Sequence, residues 1–430
     1  MTTPPPGSDP LIKNTSYKVV LPFYVYAALA FLVGCILLFT SSGAFTQHYF
    51  HPHTIAITHI MALGWGTMMV LGAGHQLLPV VIEGKLYSDT LAWLSFVFAA
   101  VGIPLLVFAF YHFNMGWPAQ YGGILVNIAI VCYLVNVAAS MMKSSNENVH
   151  AVFVFTATLW LLLTTTLGLV LVYNFTYTFL PKDSLQYFSL HAHLGIGGWF
   201  LLMVVGVGTR LLPMFLISKY TNPRRLWLMY GLINAALILF IITHVYLQQK
   251  NAYLFAVISV LSGFILFAIY LCTAYRQRIR KQLDEQMKVS FLSVLIMVVP
   301  LMILVITMVM MLMGQQLPRL VLVYGFTIFL GWITAIIFGM TFKTLPFIVW
   351  NKVYQSKAGL AKTPHPKDLF SRKIFIAMSI AYLVGFVLFI AGILVSIGWL
   401  LKIAAAFLVA AAMLYNWNVF KIVLHQSKNV

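Results

Sequence analysis

The sequence predicts an all-α integral membrane protein with twelve transmembrane helices. Hydrophobic residues make up 62% of the 430-residue chain and charged residues only 8%, whereas a soluble domain averages about 25% charged residues. Twelve apolar segments are long enough to cross a hydrocarbon core roughly 30 Å thick as helices of about 20 residues. A Gly-Trp motif also occurs three times at nearly equal spacing, which indicates an internal triplication.

The twelve segments are separated by short polar breaks, so we expect residues 1–430 to form a single membrane domain. The expected spans are 18–40, 55–82, 90–112, 121–142, 149–173, 190–217, 225–246, 252–275, 289–313, 320–349, 373–395 and 398–424. The longest break, 350–373, is basic and contains proline. We therefore expect it to be a loop.

The repeated motif combines a Gly-Trp pair, a second glycine and a closing Leu-Pro. The three copies are residues 58–79, 190–213 and 325–346. The equivalent tryptophans are Trp65, Trp199 and Trp332. The motif falls in the second, sixth and tenth spans, so each repeat is expected to be a four-helix unit. The expected repeats are about 18–142, 149–275 and 289–424.

The charge distribution predicts the orientation in the membrane. The chain has 26 Lys and Arg against 8 Asp and Glu, a net charge of +18. These cations lie in loops between apolar segments, which is typical of topology signals and of contact with anionic lipid rather than nucleic acid. With a cytoplasmic N-terminus, the cations on the outer side are Lys182, Lys250, Arg319 and Lys402. Both termini are therefore expected in the cytoplasm.

The cysteines provide neither a disulfide framework nor a zinc site. Cys35, Cys132 and Cys272 all lie within apolar segments and show no CxxC spacing. The sequence also has no CxxCH motif, which argues against covalently attached haem.

Two histidines occupy the same position of the repeat. His59 and His193 each lie five residues before the Gly-Trp pair, and Phe326 takes that position in the third copy. Histidine within a membrane segment usually lines a cavity or binds a ligand, and imidazole is a common axial ligand of haem iron. We therefore expect one b-type haem between the second and sixth helices, with His59 and His193 as axial ligands. The alternative is that each histidine bonds a loop at the membrane interface.

Two further histidines are candidates for a second site. His191 lies two residues before His193, about 200° around the helix, so the two cannot bind the same iron together. His244 ends the seventh segment at the same depth. We expect His191 to be a haem ligand or, together with His244, to bind copper or another metal.

At these residues the chain resembles the haem-copper oxidase superfamily, which includes subunit I of cytochrome oxidases and the large subunit of nitric oxide reductases. The resemblance rests on twelve helices in three repeats and on a helix-2 histidine followed by a Gly-rich segment ending in Leu-Pro. Residues 116–136 are similar to the nitric oxide reductase branch. The resemblance implies a subunit I-like fold, haem b, the bacterial inner membrane, and electron-donor or other respiratory subunits as partners.

The chain also departs from that superfamily. The helix-10 H-x-H motif of the family falls at Tyr324 and Phe326, and the histidine pair that helps to bind copper is reduced to His244. Only His59 therefore carries over directly as a haem ligand. The NnrS family of twelve-helix haem proteins, which is tied to nitric oxide metabolism, is similar in length and in the placement of its histidines.

These observations favour a haem-binding membrane protein with a role in respiratory or nitric oxide metabolism. Two alternatives remain open. One is an active terminal oxygen or nitric oxide reductase. The other is a transporter or assembly factor that uses the same helical bundle without a cofactor.

Overall fold

The computed structural model describes residues 15–144, 148–315, 317–357 and 363–427. Within these residues, twelve helices are long and apolar enough to cross a membrane, so the predicted all-α membrane class is confirmed. The helices are α1 (Tyr17–Thr40), α2 (Pro52–Val81), α3 (Asp89–Tyr111), α4 (Trp117–Met142), α5 (Val149–Tyr177), α6 (Ser184–Leu216), α7 (Pro223–Leu247), α8 (Lys250–Arg276), α9 (Glu285–Leu312), α10 (Pro318–Lys357), α11 (Arg372–Val395) and α12 (Gly398–Val423).

Most helix boundaries lie within a few residues of the expected ones, but α10 is longer. It continues to Lys357, into the segment 350–373 that was expected to be a loop. This extension is held by tertiary contacts, since the Tyr354 hydroxyl lies 2.8 Å from Nε2 of His425 beyond the end of α12. Residues 358–362 of the expected loop lie outside the described residues.

Several helices begin at a polar side chain that caps the first turn. Ser88 accepts a hydrogen bond from the backbone N–H of Leu91 at the start of α3, and Asn148 does the same for α5. Asn222 and Ser371 cap α7 and α11. These side chains satisfy backbone donors that have no partner within the helix.

The three helices that carry the Gly-Trp motif, α2, α6 and α10, each contain a π-helical stretch. The stretches are Ile60–Thr67, Leu194–Leu201 and Thr327–Ile333. Each begins at the residue directly after His59, His193 or Phe326. π-helical turns are rare and are found frequently at functional sites, so this part of the bundle is the expected location of a functional site.

The three motif helices meet at these π-helical stretches in the centre of the bundle. Nε1 of Trp199 in α6 donates a hydrogen bond of 3.0 Å to Oγ1 of Thr67 in α2. Nε1 of Trp65 in α2 donates one of 3.1 Å to Oγ1 of Thr334 in α10. Both tryptophans are fully buried, so these bonds satisfy indole donors that have no access to water.

The contact between α10 and α6 lacks the corresponding bond. Leu201 of α6 stands where Thr67 and Thr334 stand in the other two helices. Within the described part of the chain, Nε1 of Trp332 makes no hydrogen bond. The two helices instead meet through Phe200 and Phe329, whose ring centroids are 5.9 Å apart.

Thr67→Val should destabilise the protein, because it leaves the buried indole N–H of Trp199 without an acceptor at almost constant side-chain volume. The expected loss is about 1–3 kcal/mol, measured as a lower midpoint of thermal unfolding in detergent. Thr273→Val is the matched control, since the Thr273 hydroxyl is exposed and bonds only to Ile269 of its own helix. Equal midpoints for the two variants would show that the bond between Trp199 and Thr67 does not stabilise the bundle.

Candidate functional site

Two cavities lie beside the motif helices at their histidine-bearing ends. The first, cavity A, has a volume of about 180 Å³ and is lined mainly by residues of α2 to α6, including His59 and His191, together with Phe329 of α10 and residues of the adjoining loops. The second, cavity B, has a volume of about 350 Å³ and is lined by residues of α6 to α10, including His193 and His244. Apolar side chains make up most of both linings.

His59 and His191 face each other in cavity A. Their ring centroids are 6.1 Å apart and their planes differ by 17°. With metal–nitrogen bonds of roughly 2 Å, as in zinc sites, this separation leaves room for one metal centre between the rings. The ring of Phe110 packs against His59 with a centroid separation of 4.5 Å, so the pair has an apolar surround.

The hydrogen bonds of the two rings determine which nitrogen is free. Nδ1 of His59 lies 2.8 Å from the carbonyl oxygen of Ile55, and Nδ1 of His191 lies 3.0 Å from that of Thr164. A carbonyl oxygen can only accept, so both Nδ1 atoms must carry the proton. The lone pairs then lie on Nε2, which makes no hydrogen bond in either ring within the described residues. Metal-ligating histidines are usually oriented in this way.

A close helix contact sets the position of His191. Gly168 of α5 lies against the imidazole, and a Cβ atom added at Gly168 would stand 2.8 Å from Cε1 of His191. Real Cβ atoms essentially never approach other atoms so closely. The absence of a side chain at Gly168 therefore allows His191 to reach the Thr164 carbonyl.

The structure does not bring together the histidine pair expected from the repeat. His59 lines cavity A, whereas His193 lines cavity B. The physical reason is that α2 and α6 pack around a common centre. A residue of α2 and the residue at the same repeat position in α6 then point into two different gaps between neighbouring helices. The residue that meets His59 is therefore not its equivalent, His193, but the residue two positions earlier, about 200° around the helix.

In cavity B, His193 faces aromatic rings. Its Nδ1 lies 2.8 Å from the carbonyl oxygen of Ser189, so Nε2 again carries the lone pair. Its ring centroid is 4.9 Å from that of Phe240 and 5.8 Å from that of Tyr324. In the sequence, Tyr324 stood out only because a histidine was expected at its position. The signal that identifies it is its position two residues before Phe326, which matches the position of His191 before His193.

The expected metal pair of His191 and His244 is also not formed, because these two residues line different cavities. Both nitrogens of His244 are already engaged. Its Nε2 lies 2.8 Å from the carbonyl oxygen of Gln186 and must donate to it. Its Nδ1 then accepts from the Tyr253 hydroxyl at 3.0 Å. In this arrangement His244 has no lone pair left for a metal ion.

No family model matches the chain, and no curated protein is similar to it at a significant level.

Gly168→Ala should destabilise the protein by about 1–3 kcal/mol, because the added methyl group overpacks the contact with His191. Gly231→Ala in α7 is the matched control, since a Cβ there meets no atom within 4 Å. That control should be neutral or stabilising, because alanine favours the helix by up to about 1 kcal/mol. Thermal unfolding in detergent measures both. If Gly168→Ala is as stable as Gly231→Ala, the position of His191 does not depend on this contact.

Proposed function

We propose that the protein binds one b-type haem in cavity A, with His59 and His191 as its two axial ligands. The observation that carries this proposal is the facing pair of imidazoles, 6.1 Å apart and nearly parallel. Each imidazole has its Nδ1 proton held by a backbone carbonyl. Neutral imidazoles oriented in this way are typical metal ligands, and the apolar lining suits a macrocycle held without a covalent bond.

The two histidines are suitable ligands for the haem iron, but cavity A is small for the whole porphyrin ring. The volume of cavity A, about 180 Å³, is below the roughly 300–1,000 Å³ typical of small-molecule sites. Several aromatic side chains form its walls, among them Phe50, Phe110 and Phe188. The proposal therefore requires some of these rings to move when haem binds.

A haem bound in this way would supply one-electron redox chemistry. Two histidine ligands would occupy both axial positions, so this site suits electron transfer better than direct binding of oxygen or nitric oxide. The protein contributes two oriented neutral imidazoles and walls of low polarity. A role in respiratory or nitric oxide metabolism, with an electron donor or another respiratory subunit as partner, follows from the resemblance to haem-copper oxidases and the NnrS family.

We further propose that the bundle is built from three four-helix repeats with a haem-copper oxidase-like arrangement. The π-helical stretches of α2, α6 and α10 and the bonds of Trp65 and Trp199 to neighbouring motif helices support this. The distribution of Lys and Arg supports cytoplasmic termini, as in a bacterial inner membrane protein. The termini themselves, 1–14 and 428–430, lie outside the described residues. The histidine-bearing ends of the motif helices would then face the outer side.

A second candidate is a single metal ion held by the same two histidines. The small volume of cavity A favours it, because a bare ion needs no movement of the aromatic walls. Imidazole ligands suit copper, zinc, iron and nickel. In this case the protein would bind or handle a metal ion in the membrane without a porphyrin.

Purified protein supplied with haem should show a Soret band, and His59→Ala and His191→Ala should each abolish it. The expected loss of haem affinity exceeds about 100-fold, because even outer-shell partners of metal ligands contribute 10- to 100-fold. His193→Ala is the matched control and should retain the band, since His193 lines the other cavity.

Two other outcomes would contradict this assignment. A band that is lost in His193→Ala but retained in His59→Ala would place the haem outside cavity A. The absence of a band in the wild-type protein, together with one metal ion per chain that both His59→Ala and His191→Ala remove, would establish the metal-ion alternative.

A further inference from the structure

Cavity B is a second built site that the haem proposal does not use. Its volume of about 350 Å³ lies within the roughly 300–1,000 Å³ typical of small-molecule sites. No Asp, Glu, Lys or Arg is among the described residues that line it. A charged ligand would have no counter-ion there, so the chemistry favours an uncharged, largely apolar molecule.

Three polar groups at the walls of cavity B have no partner within the described part of the protein. Nε2 of His193 is a hydrogen-bond acceptor, because its Nδ1 proton is held by Ser189. The indole Nε1 of Trp332 is a donor, and the Tyr324 hydroxyl can act as either. All three residues line the cavity. Trp332 is buried, whereas His193 and Tyr324 are partly exposed to the cavity. A polar group that faces apolar surroundings is costly unless it is hydrogen-bonded, so these groups indicate a ligand with its own donors or acceptors.

The unpartnered indole is a specific departure from the rest of the bundle. Trp65 and Trp199 are also buried, and each donates to a threonine of the neighbouring motif helix. For Trp332 the corresponding residue is Leu201, which itself lines cavity B. Leu201 thus offers no acceptor to the indole N–H of Trp332, which remains available to a ligand.

We propose that cavity B binds a membrane-soluble quinone or hydroquinone. Such a molecule is uncharged, and its ring and tail match the apolar lining. The oxygens of a quinone can accept from the Trp332 N–H and the Tyr324 hydroxyl, and a hydroquinone hydroxyl can also donate to Nε2 of His193. The cavity lies among helices that face lipid on their outer surfaces: Phe255 of α8 and Met302 of α9 are 65% and 58% exposed. Cavity B therefore lies in a part of the bundle that borders the lipid.

Cavity B is separate from the proposed haem site, although Ile196 lines both cavities. Binding in cavity B depends only on the groups described above and does not rest on the proposed function.

The test is a titration of the purified full-length protein with 2-decyl-1,4-benzoquinone, read by tryptophan fluorescence. Decylbenzene, which has the same tail on a six-membered carbon ring without oxygens, is the control ligand and should bind at least tenfold more weakly. The titration is repeated on His59→Ala. Quinone binding that survives in this variant is independent of the haem site, so failure of the proposed function and failure of this inference are distinguishable.

The decisive variant is Leu201→Thr, which supplies the hydroxyl that Thr67 and Thr334 provide elsewhere. The new hydroxyl should accept the Trp332 N–H and weaken quinone binding about fivefold, the value of roughly one hydrogen bond. Leu201→Val changes the side-chain volume in the same way without adding a hydroxyl, and it should bind the quinone more tightly than Leu201→Thr does.

Tyr324→Phe should also weaken binding about fivefold. Tyr121→Phe should leave it unchanged, because Tyr121 is 60% exposed on α4. The proposal is overturned if decylbenzene binds as tightly as the quinone, or if Leu201→Thr and Leu201→Val bind it equally. It is also overturned if the purified protein holds two haems and His193→Ala removes one of them.

Discussion

The three motif helices are held together at their π-helical stretches, and the rest of the structure depends on this contact. Trp199 bonds to Thr67 and Trp65 bonds to Thr334 across the centre of the bundle. Association of helices in a membrane gains little from the hydrophobic effect, because lipid tails are as apolar as the side chains they replace. Close packing and buried hydrogen bonds between helices are therefore the interactions that hold α2, α6 and α10 in register.

This central arrangement determines which residues can share a site. When helices surround a common centre, equivalent positions on them face successive gaps between helices. The two residues that meet in one gap therefore come from different positions of the repeat. His59 meets His191, and His193 meets Tyr324. In α10, Phe326 occupies the position of His59 and stacks against Phe389 of α11 with a centroid separation of 4.5 Å. That position is filled by aromatic packing.

The two cavities differ in ways that suit different ligands. Cavity A is small and contains two imidazole rings that face each other with centroids 6.1 Å apart, and it is the cavity in which we propose the haem. Cavity B is larger and presents a single free imidazole nitrogen with a phenol and an indole, so it suits an uncharged ring that carries oxygens. The replacement of a threonine by Leu201 at one of three related contacts is the feature that leaves the Trp332 donor available.

The helices could be predicted from the sequence because length and hydropathy are properties of continuous segments, and the three copies of the motif identified the central helices. The candidate histidines were also visible, since imidazoles stand out in apolar spans. The pairing of His59 with His191 could not be derived in this way, because it depends on the rotation of α6 relative to α2. The engagement of His244 by Gln186 and Tyr253 likewise depends on how α7 packs against α6 and α8.

The central feature of the candidate site is that His59 faces His191 rather than His193. A mercuric-ion bridge tests this directly in a background in which Cys35, Cys132 and Cys272 are replaced by alanine. In the double variant His59→Cys with His191→Cys, one mercuric ion per chain should bridge the two thiols and protect both from a maleimide. In His59→Cys with His193→Cys, no bridge should form. Bridging of the second pair but not of the first would show that His59 faces His193 instead.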